Sequence, residues 1–391
     1  MMCAEEQALA ARQLPAVPFY CPLAPAAHPG AGVLNDRTVA WMLRQNLDTD
    51  ERQRSRLTLC DFGGLTAATM PYGTLEPLTL MAKFHAVLFS LDDGLCDETG
   101  ASADLMAQET SRILRAVEAP AAHSGADSPH TASLRALRTE LERYASPQQI
   151  RRWTESLRVY TSGLVWEASW RRSAGLPSLD DYVTLWMRAI GMAPSTAMIE
   201  IVGGFTVRDE ELSDPRVQAL TETAWTLVGW DNDLYSRNKE LLRAGDDLNL
   251  IDVLCQELGC EPREAQVRAV AMRDRVMVLH SRLRAQVLAD AGDELRAYVE
   301  GLGQFVRGHL DWASACPRYS AGAGPAARPG GWWKRHPSDA GTEPLPIPTI
   351  SWWWEQLDTT RRTRGPAAST AVPVTAPRPR RREPLPHGTA R

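Results

Sequence analysis

From Asn35-Asp36 onward, apolar residues recur at three- and four-residue intervals along most of the chain, a period that suits helices and not strands. The pattern predicts helices over residues 36–46, 75–91, 102–118, 131–145, 147–173, 179–190, 194–203, 214–242, 249–257, 262–290 and 293–315. Ser146-Pro147 and Pro177-Ser178 supply start signals, a capping hydroxyl or a proline in the first turn. No convincing strand alternation is present, and no repeat of roughly 20–50 residues. Long helices with short polar links predict an all-α, single-domain helical bundle over residues 36–319.

The two ends read differently. Residues 1–35 carry Pro15, Pro18, Pro22, Pro25 and Pro29, which block regular helix. They read as a Pro-rich strap that Phe19 and Tyr20 could pack onto the body. Residues 320–391 hold runs of Gly, Ala and Pro and the basic stretch Arg378-Pro379-Arg380-Arg381-Arg382, and read as a largely disordered C-terminal tail. Trp332-Trp333 and Trp352-Trp353-Trp354 interrupt it. Either these tryptophans dock on the domain or a partner, or they are unused.

Composition narrows the function. With 391 residues and 44% hydrophobic content the chain has ample material for a core. A formal net charge of −5 argues against a nucleic-acid binder. The seven cysteines, scattered and odd in number, form neither a zinc pattern nor a disulfide framework. Met1 to Leu9 has no basic-then-apolar signal, and no apolar run reaches the length of a membrane span. The expectation is a soluble, cytoplasmic protein. The eight histidines form no paired metal motif, and no nucleophile elbow is present.

Chemistry concentrates in two stretches. Trp230-Asp231-Asn232-Asp233-Leu234-Tyr235-Ser236-Arg237-Asn238-Lys239-Glu240 closes the apolar run Leu220 to Val228. At about 100° per residue, Asn232, Ser236 and Glu240 drift only about 40° per step of four and share one helix face. An amide oxygen, a hydroxyl and a carboxylate make a hard-oxygen set suited to Mg²⁺, with Lys239 beside them for a phosphate. The bland alternative is a polar face in water. Upstream, Asp92-Asp93-Gly94-Leu95-Cys96-Asp97-Glu98 ends the apolar helix Leu80 to Leu91. Four carboxylates within seven residues repel one another unless a cation or solvent relieves them. The bland alternative there is an acidic helix end entering a loop. Together the two stretches offer oxygen ligands from opposed helices and no soft ligand, which disfavours zinc or iron.

On these residues the chain resembles a bacterial class I terpene synthase. Asp92-Asp93-x-x-x-Asp97 is similar to that family's aspartate-rich motif. Asn232-Asp233-Leu234-x-Ser236-x-x-Lys239-Glu240 is similar to its second metal motif in full. Arg188 lies 44 positions before Asn232, where the family carries a diphosphate-sensing arginine, and Arg318-Tyr319 resembles the Arg-Tyr pair closing the domain. The likeness covers about residues 15–320. The Pro18-Phe19-Tyr20-Cys21-Pro22 strap and the layout are similar both to sesquiterpene cyclases and to the 2-methylisoborneol synthase branch. Three departures stand out: the small Gly94-Leu95 inside the first motif, a glycine one position early in Ala189-Ile190-Gly191-Met192, and the long tail.

The resemblance implies Mg²⁺-dependent ionisation of an isoprenyl diphosphate, with three Mg²⁺ held by Asp92, Asp97, Asn232, Ser236 and Glu240. It implies diphosphate contacts from Arg188, Lys239, Arg318 and Tyr319, and catalytic roles for Arg188 and Asp93. Asp93 would hold a basic neighbour in place of a metal. The cation then needs a dry pocket with aromatic faces. Phe84, Phe89, Trp186, Phe205, Trp225 and Trp312 are candidates, each with core packing as the plainer reading. Two other activities compete with cyclisation: a chain-elongating prenyltransferase and a catalytically inactive helical binding protein. Farnesyl diphosphate is the expected substrate, with geranyl or 2-methylgeranyl diphosphate as the alternative. A homodimer is compatible with this layout.

Overall fold

A computed structural model describes residues 13–48, 50–97, 101–122, 125, 127–173, 175–242, 248–320 and 333–357, without the side chains of 95–97, 242, 320 and 333. Its helices run α1 (Ala31–Gln45), α2 (Glu51–Thr58), α3 (Phe62–Thr69), α4 (Leu75–Leu91), α5 (Ala103–Glu118), α6 (Pro129–Leu141), α7 (Pro147–Trp170), α8 (Leu179–Ala189) and α9 (Met192–Gly203). They continue with α10 (Asp209–Leu212), α11 (Pro215–Leu242), α12 (Leu250–Leu258), α13 (Pro262–Asp290), α14 (Asp293–Ala315), α15 (Pro317–Ser320) and α16 (Pro348–Glu355). A π-helical turn, Asp92–Asp97, continues α4. No described helix is long and apolar enough to cross a membrane.

The long helices start and stop where local chemistry directs. Ser146 accepts from the Gln149 amide while the Gln149 side chain accepts from the Ser146 amide, a full capping box ahead of Pro147. Ser178 caps α8 through the Asp181 amide. Gly191, at φ +74°, sits in the left-handed region and breaks the chain between α8 and α9.

Helices α2 and α3 lie outside the helices predicted from periodicity. Gly63-Gly64 reads as a breaker, yet Gly63 serves a helix crossing. A Cβ on it would lie 2.2 Å from the Ala31 carbonyl oxygen. Only glycine lets α3 approach α1 so closely.

The strap packs on the body. Phe19 is buried and meets Tyr235 edge-on, with ring centroids 5.6 Å apart. Strand β1 (Phe19–Tyr20) pairs in parallel with β2 (Trp333–Lys334), Phe19 opposite Trp333. Residues 333–357 therefore do not behave as the disordered tail read from composition. Helix α16 lies on α8 and α11, and Ile350, Trp353 and Trp354 are buried in the main core. Trp353 Nε1 donates to Glu222 Oε2 on α11 at 2.7 Å, and Thr349 donates to Asp180 on α8 at 2.8 Å. Hydrophobic burial explains the difference: these tryptophans and isoleucines supply the core surface that the Gly/Ala/Pro runs lack. Trp332 and residues 358–391 lie outside the described residues.

Candidate active site

One cavity of about 940 Å³, its open mouth included, is walled by α3, α4, α7, α8, α9, α11, α14 and α15. Asp92, Asn232, Lys239, Glu240, Arg318 and Tyr319 all line it. The two stretches singled out by sequence thus share one space.

Helix α11 forms the better-braced wall. Asp231, Asp233 and Arg237, which flank the Asn232–Ser236–Glu240 stripe, each have a fixed partner on another element. Asp231 is fully buried and pairs in a bidentate fork with Arg273 of α13, at 2.7 and 3.1 Å. Burial pushes the Asp231 carboxyl up, and the Arg273 guanidinium pulls it back. Arg273 also donates to the Tyr20 carbonyl and lies 5.4 Å from the Phe19 ring, which ties the N-terminal strap to the back of the motif. Asp233 Oδ2 accepts from the Tyr182 hydroxyl at 2.6 Å, and Arg237 forks onto Asp252 at 2.9 and 3.0 Å. These contacts fix the rotation of α11 and hold the stripe toward the cavity.

On the stripe itself, Asn232 Nδ2 donates to the Tyr319 hydroxyl at 2.9 Å. Glu240 Oε2 accepts from Asn249 Nδ2 at 3.1 Å. Ser236 Oγ, between them, is buried and has no hydrogen-bond partner among the described residues. A buried hydroxyl without a partner costs about 1–3 kcal/mol, so its presence calls for an occupant. With amide and carboxylate oxygens one turn to either side, a hard cation fits it. Among the described residues no group of three or more His, Cys, Asp or Glu gathers as a metal site, here or elsewhere, so the oxygen set rests on the amide and hydroxyl as well as the carboxylates.

The opposite wall is irregular. Asp92 ends α4, half-exposed at the cavity rim, where the helix loosens into the π turn. Such turns recur at functional sites because they re-aim side chains without ending the helix. Asp93 points the other way, fully buried, and its two oxygens accept from Arg318 at 2.6 and 2.8 Å. Burial works to lower the Arg318 pKa, and the Asp93 carboxylate more than offsets it. This matches the reading of Asp93 as holder of a basic neighbour. Asp97 closes the π turn, and its side chain lies outside the described residues. Arg318 and Tyr319 therefore join the walls, one gripping Asp93 and the other Asn232. Lys239 Nζ lies 5.9 Å from the Tyr319 ring.

Arg188 does not join them. It is exposed and does not line the cavity, whereas Trp186, Ala189 and Ile190 of the same segment do. Two residues at about 100° each put Arg188 about 200° around the helix from Trp186. Trp186 is held inward by its Nε1 donating to the Gly229 carbonyl at 3.2 Å and by stacking on Tyr182. Arg188 instead lies near Glu222, the partner of Trp353. In this structure Arg188 therefore stands apart from the other residues expected to contact diphosphate.

Comparison with known proteins accords with this geometry. The family model "Terpene synthase family 2, C-terminal metal binding" matches residues 83–277. Bonnadiene synthase from Allokutzneria albata is 36% identical over 355 residues, covering 86% of this chain and 97% of that protein. The chain belongs to the terpene synthase family. A (+)-T-muurolol synthase from Streptomyces clavuligerus, described as cyclising (2E,6E)-farnesyl diphosphate, is 35% identical over 84% of this chain and 83% of its own length. The crystal structure of the SVS_A2 protein, from ancestral sequence reconstruction, superposes with a TM-score of 0.78 at 29% identity, covering 88% of this chain and 99% of that one.

As a terpene cyclase, this lyase acts on an isoprenyl diphosphate, and its family is a metal-binding one. Below the polar mouth, the cavity wall is mainly Leu65, Leu88, Phe89, Trp186, Met192 and Val228. Of the six aromatic candidates, Phe89 and Trp186 line it. Trp312 backs Phe89 at 5.8 Å with its Nε1 donating to the Cys60 carbonyl. Phe84 is core packing against Trp153, Phe205 lies away from the cavity wall, and Trp225 borders a separate pocket with its Nε1 donating to Thr196.

Cavity residues that escaped the sequence reading include Glu167, Arg171, His85 and His309. Glu167, buried, accepts from Arg171 at 2.7 Å. A Glu–Arg pair four residues apart inside an otherwise apolar helix face was the available signal. His85 stands within the apolar run Leu80 to Leu91, where a lone polar residue marks either a satisfied core group or a pocket wall.

Proposed function

We propose that this terpene cyclase ionises farnesyl diphosphate and folds the resulting cation into a cyclic sesquiterpene, releasing diphosphate. The reading is carried by the buried, unpartnered Ser236 hydroxyl, set one turn from both Asn232 and Glu240, which share a cavity with Asp92. Those four side chains, with Asp97, would hold Mg²⁺. Bound Mg²⁺ would supply the positive charge that meets the leaving diphosphate. Lys239, Arg318 and Tyr319 line the same rim and would donate to its oxygens. Arg318 brings a planar fork that stays charged, and Asp93 fixes its plane. Phe89 and Trp186 face the space beneath, where aromatic faces stabilise a cation without reacting with it and apolar neighbours exclude water.

Farnesyl diphosphate is favoured over geranyl or 2-methylgeranyl diphosphate by the relative described as cyclising it, and by the small Gly94 in the first motif. The test presents purified enzyme and Mg²⁺ with geranyl, 2-methylgeranyl, farnesyl and geranylgeranyl diphosphates separately, reading volatiles by mass spectrometry. A cyclic fifteen-carbon product from farnesyl diphosphate is expected. Efficient turnover of a ten- or eleven-carbon substrate, with only traces from farnesyl diphosphate, would replace the substrate and keep the cyclase.

A further inference from the structure

Deeper in the cavity the apolar wall is interrupted by two imidazoles. His85 and His309 both line it, as do Phe305, one turn before His309 on α14, and Ser195 of α9. His85 sits on α4 seven residues before Asp92, so about 10 Å further down the helix axis than the proposed metal level. Its Nδ1 is 3.0 Å from the Thr66 hydroxyl, and its ring meets Phe305 edge-on. His309, on α14, is 6% exposed and tilts against Trp312 at 5.8 Å. Its Nδ1 is buried and has no hydrogen-bond partner among the described residues. Burial pushes His85 down to about 3, with His309 adding to the effect, and His309 itself down to about 4. Both rings are neutral near pH 7.

A buried imidazole nitrogen without a hydrogen-bond partner costs stability, and neither the metal motif nor diphosphate capture uses this ring. We infer that His309 is the base that ends the cyclisation cascade, accepting a proton from the last carbocation at the distal end of the chain. The inference rests on the cyclase reading above. In this step the C–H bond next to the cationic carbon breaks and its electron pair becomes the C=C bond of the product. The proton passes to the imidazole lone pair. The imidazolium then loses that proton to solvent once the product has left and the cavity refills.

Two physical points favour this base. A diphosphate at the proposed metal level would lie about 10 Å, some two helix turns, from the level of His85. A weakly basic imidazole is enough, because an alkyl carbocation is a far stronger acid than an imidazolium. A neutral ring between aromatic faces also leaves the cation intact until a hydrogen comes within reach, as general-base geometry requires.

The test uses the full-length enzyme with Mg²⁺ and whichever isoprenyl diphosphate the wild type turns over. His309→Gln keeps size and hydrogen bonding without the base, and His309→Leu removes polarity altogether. Diphosphate release reports ionisation, and gas chromatography with mass spectrometry in H₂¹⁸O reports termination. Release within about threefold of wild type is expected, with the main olefin falling at least about tenfold in share in favour of other olefins or ¹⁸O-labelled alcohol. An unchanged product ratio in His309→Gln would overturn the inference, whether release stays normal or falls. So would a wild-type ¹⁸O alcohol that the variant converts to olefin, since His309 would then be holding a water. If His309→Leu fails to fold by circular dichroism, the glutamine variant decides. Failure of the wild type to release diphosphate from any of the four substrates would instead sink the proposed function.

Discussion

The two walls of the cavity mouth carry similar chemistry on unlike supports. On α11 the oxygen ligands occupy the interior of a 28-residue helix, and their flanking neighbours are pinned from three sides by Arg273, Tyr182 and Asp252. On α4 the carboxylates follow the helix end in a π turn, and the one buried carboxylate is already taken by Arg318. One wall is preorganised, with its ligand positions fixed by packing. The other is held through the Asp93–Arg318 pair and keeps Asp92 half-exposed. Metal sites commonly need such a contrast, since one rigid half can hold geometry while the other adjusts as the ligand arrives.

If the α11 wall is the rigid half, its ligands should show the largest loss of activity with the smallest loss of fold. Asn232→Ala and Glu240→Ala should each lower diphosphate release by about a hundredfold or more, with circular dichroism unchanged. Ser236→Ala gives the sharper reading. Removing a buried hydroxyl that lacks a partner should leave the thermal midpoint of the metal-free protein equal or higher. The rise in midpoint on adding Mg²⁺ should shrink at the same time. Wild-type turnover by any of the three variants would remove the metal assignment.

On the α4 wall the expected loss is of stability as well as activity. Asp93→Ala leaves the buried Arg318 guanidinium without its bidentate partner and with only the half-exposed Asp92 carboxylate 3.8 Å away, which should cost up to about 3–5 kcal/mol. Urea unfolding checks the figure. A variant as stable as wild type would mean the wall has another anchor. Asp92→Ala, on the same turn but half-exposed, should lower activity and leave stability nearly unchanged.

How legible this was in the sequence varied with what each feature depends on. The α11 stripe could be read because ligand identity and four-residue spacing both lie within one helix. Asp93 could be assigned to a basic neighbour, although its partner is 225 positions away. The cavity face of α8 could not be read. Which side of that helix turns inward is decided by Tyr182 meeting Asp233 and Trp186 meeting Gly229, contacts between helices distant in sequence. Helix α3 was not read because Gly63 serves a close crossing with α1, visible only once α1 is in place.

The segment 333–357 offers a third comparison, since it braces the outer side of both α8 and α11. Cutting the chain after Gly324 would expose the surfaces now covered by Ile347, Ile350, Trp353 and Trp354, each 6% exposed or less. At about 1.5–3 kcal/mol per buried side chain, offset by the freed chain entropy, a net loss of a few kcal/mol is expected. Thermal midpoint checks it, and adding a 333–357 peptide in trans should recover part of the loss. An unchanged midpoint would return the segment to the status of a dispensable tail.

The smallest effect is expected at Arg188, and it separates spacing from geometry most cleanly. Spacing to Asn232 assigns it to diphosphate, and so predicts that Arg188→Lys impairs turnover by losing the bidentate fork. The helix rotation assigns it to the outer face beside Glu222, where an exposed charge pair contributes about 0–1 kcal/mol. On that geometry Arg188→Lys and Arg188→Ala should both keep kcat and KM within about threefold of wild type, with at most a small drop in thermal midpoint. Trp186→Ala is the matched control, because it alters the inward face of the same helix and should change the product spectrum. A collapse of kcat in Arg188→Lys with normal folding would mean that α8 rotates when diphosphate binds, and that the rigid half of the site does not extend to this helix.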